Sequence, residues 1–100
     1  MSDFKLISVT KSEKKGKKYD AKFQNKKTQK TKTVSFGSAG MDDYTKTKDK
    51  EQRLRYRTRH KKDLETKDPL RAGYLSYFLL WGNSTSLREN IKNYRKRFKL

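Results

Sequence analysis

The chain has no cysteine, one proline and one histidine in 100 residues. Without cysteine there is no disulfide framework, no thiolate nucleophile and no cysteine-based zinc site. The lone histidine, His60, has no second imidazole with which to share a metal and sits in a basic run that repels cations. A solvated or stacked surface residue is the better reading, and no metal or cofactor is expected. Acidic side chains are also scarce: 11 Asp and Glu face 28 Lys and Arg, a formal net charge of +17. Only 30% of the residues are hydrophobic, which supports a modest core and not a large one. The longest apolar run, Tyr77 to Trp81, is far short of the roughly 20 residues of a membrane-spanning helix. The opening residues lack the apolar stretch of a secretory leader. The expectation is one small domain, soluble or at most peripheral.

So little apolar and so much charged sequence borders on the composition of disordered chains, but a solvated tail has little use for Trp81 or Phe78. The first third reads as strands. Phe4 to Thr10 is rich in β-branched and aromatic residues. Lys18 to Gln24 alternates, with Tyr19, Ala21 and Phe23 on one face. Thr31 to Gly37 places Val34 and Phe36 on one face and Thr31, Thr33 and Ser35 on the other. Lysine-rich polar connectors between these runs suit hairpin loops. The pattern predicts an antiparallel three-stranded meander over 1–37.

Residues 38–68 read as a loop followed by a basic helix. Gly37 and Gly40 end the sheet; without the lysine of a phosphate loop, they read as a sheet-to-helix turn. Asp42 and Asp43, adjacent on a loop, read as caps of that turn and not as a catalytic pair. Arg53, Arg55, Arg57 and Arg59 then alternate. Strand periodicity is available there, but Asp49 and Glu51 ahead of Arg59, Lys61 and Lys62 match the helix dipole. The spacing pairs Asp49 with Arg53 and Glu51 with Arg55, and Asp49 with Gln52 suggests a capping box. A helix is expected, with its arginines spread over three sides and a narrow stripe around Leu54 and Tyr56 left to pack.

Residues 69–100 read as two helices. Asp68 and Pro69 fit an N-cap and first helical position for an apolar helix over Leu70 to Trp81, ended by Gly82. The last helix starts near Ser84 to Ser86, with Ser86 and Glu89 as a capping box. Leu87, Ile91, Tyr94 and Phe98 form its apolar stripe, and Lys92, Arg95, Lys96 and Arg97 lie on the other face. The fold class is therefore α+β: a meander followed by about three helices.

No nucleophile elbow, zincin helix or dinucleotide fingerprint is present, so an enzyme is not expected. The charge excess is +8 through Phe36, +3 over Gly37–Asp68 and +6 from Pro69 onward. Such self-repulsion opposes folding, which points to an anionic partner outside the chain. The candidate binding residues are Arg53, Arg55, Arg57, Arg59, His60, Lys61 and Lys62 in the middle, and Lys92, Arg95, Lys96 and Arg97 at the end. Tyr56, among the arginines, is placed to stack on a base. Tyr56, Tyr74, Tyr77 and Trp81 are candidate docking aromatics, although core packing is the plainer role for the last three.

The segments "VSFGSAGMDDYT", "KDKEQRLRYRTRHKK", "DPLRAGYLSYFLLWG" and "SLRENIKNYRKRF" resemble a family of short basic proteins of giant icosahedral DNA viruses, relatives of the chlorella viruses and mimiviruses. The matching positions include Phe36, Gly37, Asp43, Tyr44, Thr45, Arg59, His60, Asp68, Pro69, Ala72, Gly73, Leu79, Leu80 and Trp81. The chain departs from the pattern at Tyr74 and Tyr77, where Trp or Phe is usual, and at Gly82. The resemblance implies a viral origin and a place in or near the particle, with host cytoplasm as the site of assembly. The resulting expectation is a non-enzymatic minor capsid or internal virion component. Its partners would be capsid or other virion proteins, viral DNA or an anionic membrane surface, and not a small-molecule substrate. The alternative is a nucleic-acid binder without sequence preference.

Overall fold

Three strands open the chain in the computed structural model, which describes residues 3–100. Met1 and Ser2, the start of the expected 1–37 meander, lie outside the described residues. Strands β1 (Phe4–Lys11), β2 (Lys17–Asn25) and β3 (Thr31–Ser38) form an antiparallel sheet in the order β1-β2-β3. The register opposes Leu6 to Phe23, Tyr19 to Phe36 and Ala21 to Val34, collecting the apolar side chains on one face. A bulge between Leu6 and Ser8 puts Leu6 opposite Phe23 and Ser8 opposite Lys22. The extra residue lets Leu6 and Val9, three apart, both serve the inner face. Ile7, at the bulge, is turned out and is 40% exposed.

Gly37, next to the last residue of β3, is glycine for two reasons. Its φ of 77° is a left-handed conformation, and a Cβ there would lie 2.8 Å from Leu80 Cδ1. Beyond it, Asp43 caps a short helix, α1 (Tyr44–Thr47), accepting from the Thr45 backbone N–H at 2.9 Å and from the Thr45 hydroxyl. Asp43 is buried and pairs with Lys18 Nζ at 2.5 Å, tying β2 to α1. The capping role read for Asp42 and Asp43 falls to Asp43 alone; Asp42 is exposed.

Helix α2 (Lys50–His60) takes Asp49 as its N-cap, whose carboxylate accepts from the N–H groups of Glu51 and Gln52. The reciprocal half of the capping box does not form: Gln52 Oε1 accepts from the Thr47 hydroxyl at 2.9 Å. A 3-10 turn, Lys61–Thr66, follows directly.

The apolar helix starts later than Pro69. Asp68 accepts from Leu70 N–H in a turn, and α3 begins at Ala72, runs through Leu75 and widens into a π-helical segment over Ser76–Leu80. The wide turn is closed by Trp81 N–H donating to Ser76 O. Buried Asn90 explains why the helix stops there. Its amide donates to Leu79 O at 3.0 Å and to Ser84 O at 2.8 Å, and its carbonyl accepts from Ser84 N–H at 3.1 Å. One side chain thus replaces the partners that a terminating helix leaves orphaned. Gly82 is required beside it, because a Cβ there would lie 2.2 Å from Phe78 O.

Helix α4 (Leu87–Phe98) is capped by Ser86, which accepts from Glu89 N–H. Tyr94 is its buried anchor; Leu87, Ile91 and Phe98 pack partly buried against the core. Sheet and helices share that core, centred on Phe23, Phe36, Leu75, Leu79, Leu80 and Tyr94. The radius of gyration, 13.1 Å, matches the roughly 13 Å of one folded unit of this length.

Candidate anion-binding surface and adjoining cleft

The four alternate arginines of α2 fall on two sides and not three. Successive residues on a helix are about 100° apart, so positions two apart face nearly opposite ways while positions four apart share a side. Arg53 and Arg57 face inward. Arg53 donates to Gly82 O at 3.2 Å and lies 4.7 Å above the Tyr44 ring. Arg57 donates to Asn83 Oδ1 at 3.3 Å and lies 4.9 Å above Tyr77, with its buried Nε left without a partner. Arg55 and Arg59 face outward and are exposed. The expected pairs Asp49–Arg53 and Glu51–Arg55 do not form among the described residues: the Asp49 carboxylate serves as the cap, and Arg53 is drawn to the Gly82 carbonyl.

The aromatics resolve in the same way. Trp81, Tyr56 and His60 form a column: Tyr56 stacks on Trp81 at 4.5 Å and on His60 at 4.2 Å. Both faces of Tyr56 are occupied, so it is not available to stack on a base. Burial pushes the Tyr56 hydroxyl above its ordinary pKa, with Ser76 partly offsetting the effect. Asp63 holds His60 Nδ1 at 3.2 Å, so His60 is stacked and anchored. Tyr74 is buried, with its hydroxyl on Leu64 O at 2.7 Å. Trp81 is buried too, and Tyr77 lies beneath Arg57. Tyr56, Tyr74 and Trp81 are therefore packing elements, and Tyr77 stays half-buried outside the core. Leu54, expected to pack with Tyr56, sits on the opposite side of α2 and is 66% exposed.

On α4, Lys92, Arg95, Lys96 and Arg97 are all exposed. Arg95 nevertheless donates to Leu6 O and Ile7 O, both at 3.1 Å, at the bulged edge of β1. Arg97 lies 4.9 Å above Phe78. Of the eleven candidate residues, Arg53, Arg57, Arg95 and Arg97 brace the fold and His60 is tied to Asp63. Arg55, Arg59, Lys61, Lys62, Lys92 and Lys96 are exposed and make no such contact among the described residues; Arg95 and Arg97 are exposed as well as engaged. The bracing arginines bind carbonyls and ring faces, which are neutral, so they hold the structure together without reducing its charge. Among the described residues, three lysines or arginines pair with carboxylates: Lys18, Lys27 and Arg71.

Beside this surface, between the loop after β3 and the inner side of α2, lies a cleft of about 610 Å³. Phe36, Leu80 and Trp81, all buried, contribute to its lining, with Lys17, Arg59 and His60 among its polar walls. This cleft was not legible in the sequence, because its walls come from β2, β3 and the loop after it, α2, the 3-10 turn and α3 with its π segment.

Fold and site together define a small α+β protein with an uncompensated cationic surface. The chain belongs to a family of unknown function (DUF5754), whose sequence model matches residues 7–60. That span takes in most of the sheet and all of α2. No curated protein matches the chain, and no solved structure does.

Proposed function

We propose that the chain is a non-enzymatic viral structural protein, a minor capsid or internal virion component that binds acidic partners through its basic faces. One observation carries this reading: among the described residues, Arg55, Arg59, Lys61, Lys62, Lys92 and Lys96 are exposed without a carboxylate partner, in a chain of net charge +17. Arg53, Arg57 and Arg95 are bonded to neutral carbonyls and Arg97 lies over aromatic rings, so those contacts leave the excess charge in place. An anionic neighbour relieves the self-repulsion on contact. Stepwise salt extraction of purified particles tests the reading. The chain is expected to leave with shell proteins at moderate salt; its absence from particles, or from every shell fraction, overturns the proposal.

Arg55 and Arg59 on one side of α2, with exposed Lys61 and Lys62 in the turn that follows, favour a second reading, a nucleic-acid binder without sequence preference. Its signature is affinity falling with salt at a log-log slope of about 0.7–0.9 per phosphate contacted. A slope near zero, or unchanged binding after charge reversal at Arg55, Arg59 and Lys62, removes it.

A further inference from the structure

A narrow recess of about 160 Å³ lies between the inner side of α2, the turn after the π segment and α4. It is well below the roughly 300–1,000 Å³ of sites for drug-sized ligands. Two guanidinium groups from different helices, Arg57 and Arg97, line it, and no carboxylate does. Adjoining rings hold the two cations. Arg57 lies 4.9 Å from the Tyr77 centroid and Arg97 4.9 Å from that of Phe78, and the two rings meet edge to face at 5.1 Å. Glu89, the one carboxylate of α4, lines a different depression with Arg88 and Arg95.

The hydrogen-bonding groups of the walls are one-sided. Gly82 O accepts from Arg53, Asn83 Oδ1 from Arg57 and Asn90 Oδ1 from Ser84 N–H, so these acceptors are spent. Donors are in surplus. Of its several N–H groups, Arg57 uses one, in a bond 3.3 Å long. Its Nε is the one buried side-chain nitrogen or oxygen without a partner among the described residues. With Oδ1 on Arg57, Asn83 has its amide N–H groups left over. The Arg97 guanidinium and the Asn93 side chain make no hydrogen bond among the described residues. Walls with donors to spare select a ligand that accepts, and paired guanidinium charges without a carboxylate select an anion.

We infer that this recess binds a terminal phosphate group. Its donors arrive from α2, the Gly82–Asn83 turn and α4. Three directions suit a tetrahedral oxyanion better than a planar carboxylate, which a single guanidinium fork satisfies. The volume admits one phosphate group and not a base or a sugar beside it. The recess shares no lining residue with the larger cleft and none with the outward cations, so the inference goes beyond the proposed function and stands apart from it.

The full chain is titrated with inorganic phosphate at constant ionic strength and followed by amide NMR, with acetate and methyl phosphate as comparison probes. Saturable shifts centred on the Gly82–Asn83 turn and on Asn90 to Arg97 are expected, with acetate at least about tenfold weaker. Asn93→Asp brings a carboxylate to the recess from an exposed position and is expected to weaken phosphate at least about tenfold. Lys92→Gln makes the same change in net charge outside the recess and is expected to weaken it less than about twofold. Arg97→Gln, also at an exposed position, should act like Asn93→Asp. Methyl phosphate binding as tightly as inorganic phosphate assigns the recess to the phosphorylated end of a larger molecule, and weaker binding assigns it to the free ion; both uphold the site. Equal losses in Asn93→Asp and Lys92→Gln, equal affinity for acetate, or no saturable shift at the recess overturns the inference and leaves the proposed function standing.

Discussion

Helices α2 and α4 are nearly equal in length, both begin at an oxygen-bearing cap and both end in basic residues. They are nevertheless held in different ways. Helix α4 buries Asn90 and Tyr94 and packs along the π-helical segment; helix α2 buries no residue at all. Its attachment is made by the guanidinium groups of Arg53 and Arg57, reaching the turn after the π segment, and by the Tyr56 ring between His60 and Trp81. A helix fixed through polar fingers on one side leaves its other side free of packing duties. The difference separates an element that maintains the fold from one that the fold displays.

Substitutions on the two helices should therefore differ in size and in what they report. The largest effect is expected at Asn90→Leu on α4. It orphans Leu79 O, Ser84 O and Ser84 N–H, and should cost about 3 kcal/mol or more, read by urea denaturation. Loss below about 1 kcal/mol would show that the π segment terminates without its clamp.

Tyr94→Phe comes next. The Tyr94 hydroxyl donates to Pro69 O, and its removal should cost about 1–2 kcal/mol. Burial raises this hydroxyl far above the ordinary tyrosine value of 10.0. In the unfolded chain the residue ionises at the ordinary value, so above it the unfolded state holds fewer protons than the native one. Stability is intact below about pH 10 and falls as pH rises beyond it. The phenylalanine variant should show a shallower alkaline loss, measured as denaturation midpoint against pH, and an unchanged slope would contradict the assignment. Tyr56 acts in the same direction and leaves a residual slope.

Arg53→Ala on α2 should cost about 1 kcal/mol, through one carbonyl hydrogen bond and one ring contact. Amide exchange across α2 would quicken while that of α4 stays slow. Smallest of all, Leu54→Ala should change stability by no more than about 0.5 kcal/mol. A larger loss in thermal melting would mean that the outer side of α2 packs after all, and the contrast between the helices would collapse.

Much of the fold was legible because local residues carry it. The alternation of Tyr19, Ala21 and Phe23 marked β2, and the oxygen caps Asp49 and Ser86 marked the starts of α2 and α4. What escaped depends on residues distant in the chain. The late start of α3 and its widening into a π turn answer to Tyr94 on Pro69 O and Asn90 on Leu79 O. The Lys18–Asp43 pair joins residues 25 positions apart, and no spacing rule reaches across that interval. The bulge at Ile7 shifted a strand pattern that simple alternation reads differently. The arginine row was a different kind of miss, since helical angles alone place Leu54 and Tyr56 on opposing sides and divide the arginines into two groups. The outward cations of the candidate surface were readable as charge; which arginines would turn inward depended on the position of the Gly82–Asn83 turn.

The hold of Arg95 on the Leu6 and Ile7 carbonyls has a consequence for self-association. A sheet grows into a filament only if both margins accept a new strand. Here the β1 margin is kinked by its bulge and its Leu6 and Ile7 carbonyls are already taken by a guanidinium. A strand added along β1 would have to displace Arg95, so this margin resists edge-to-edge growth.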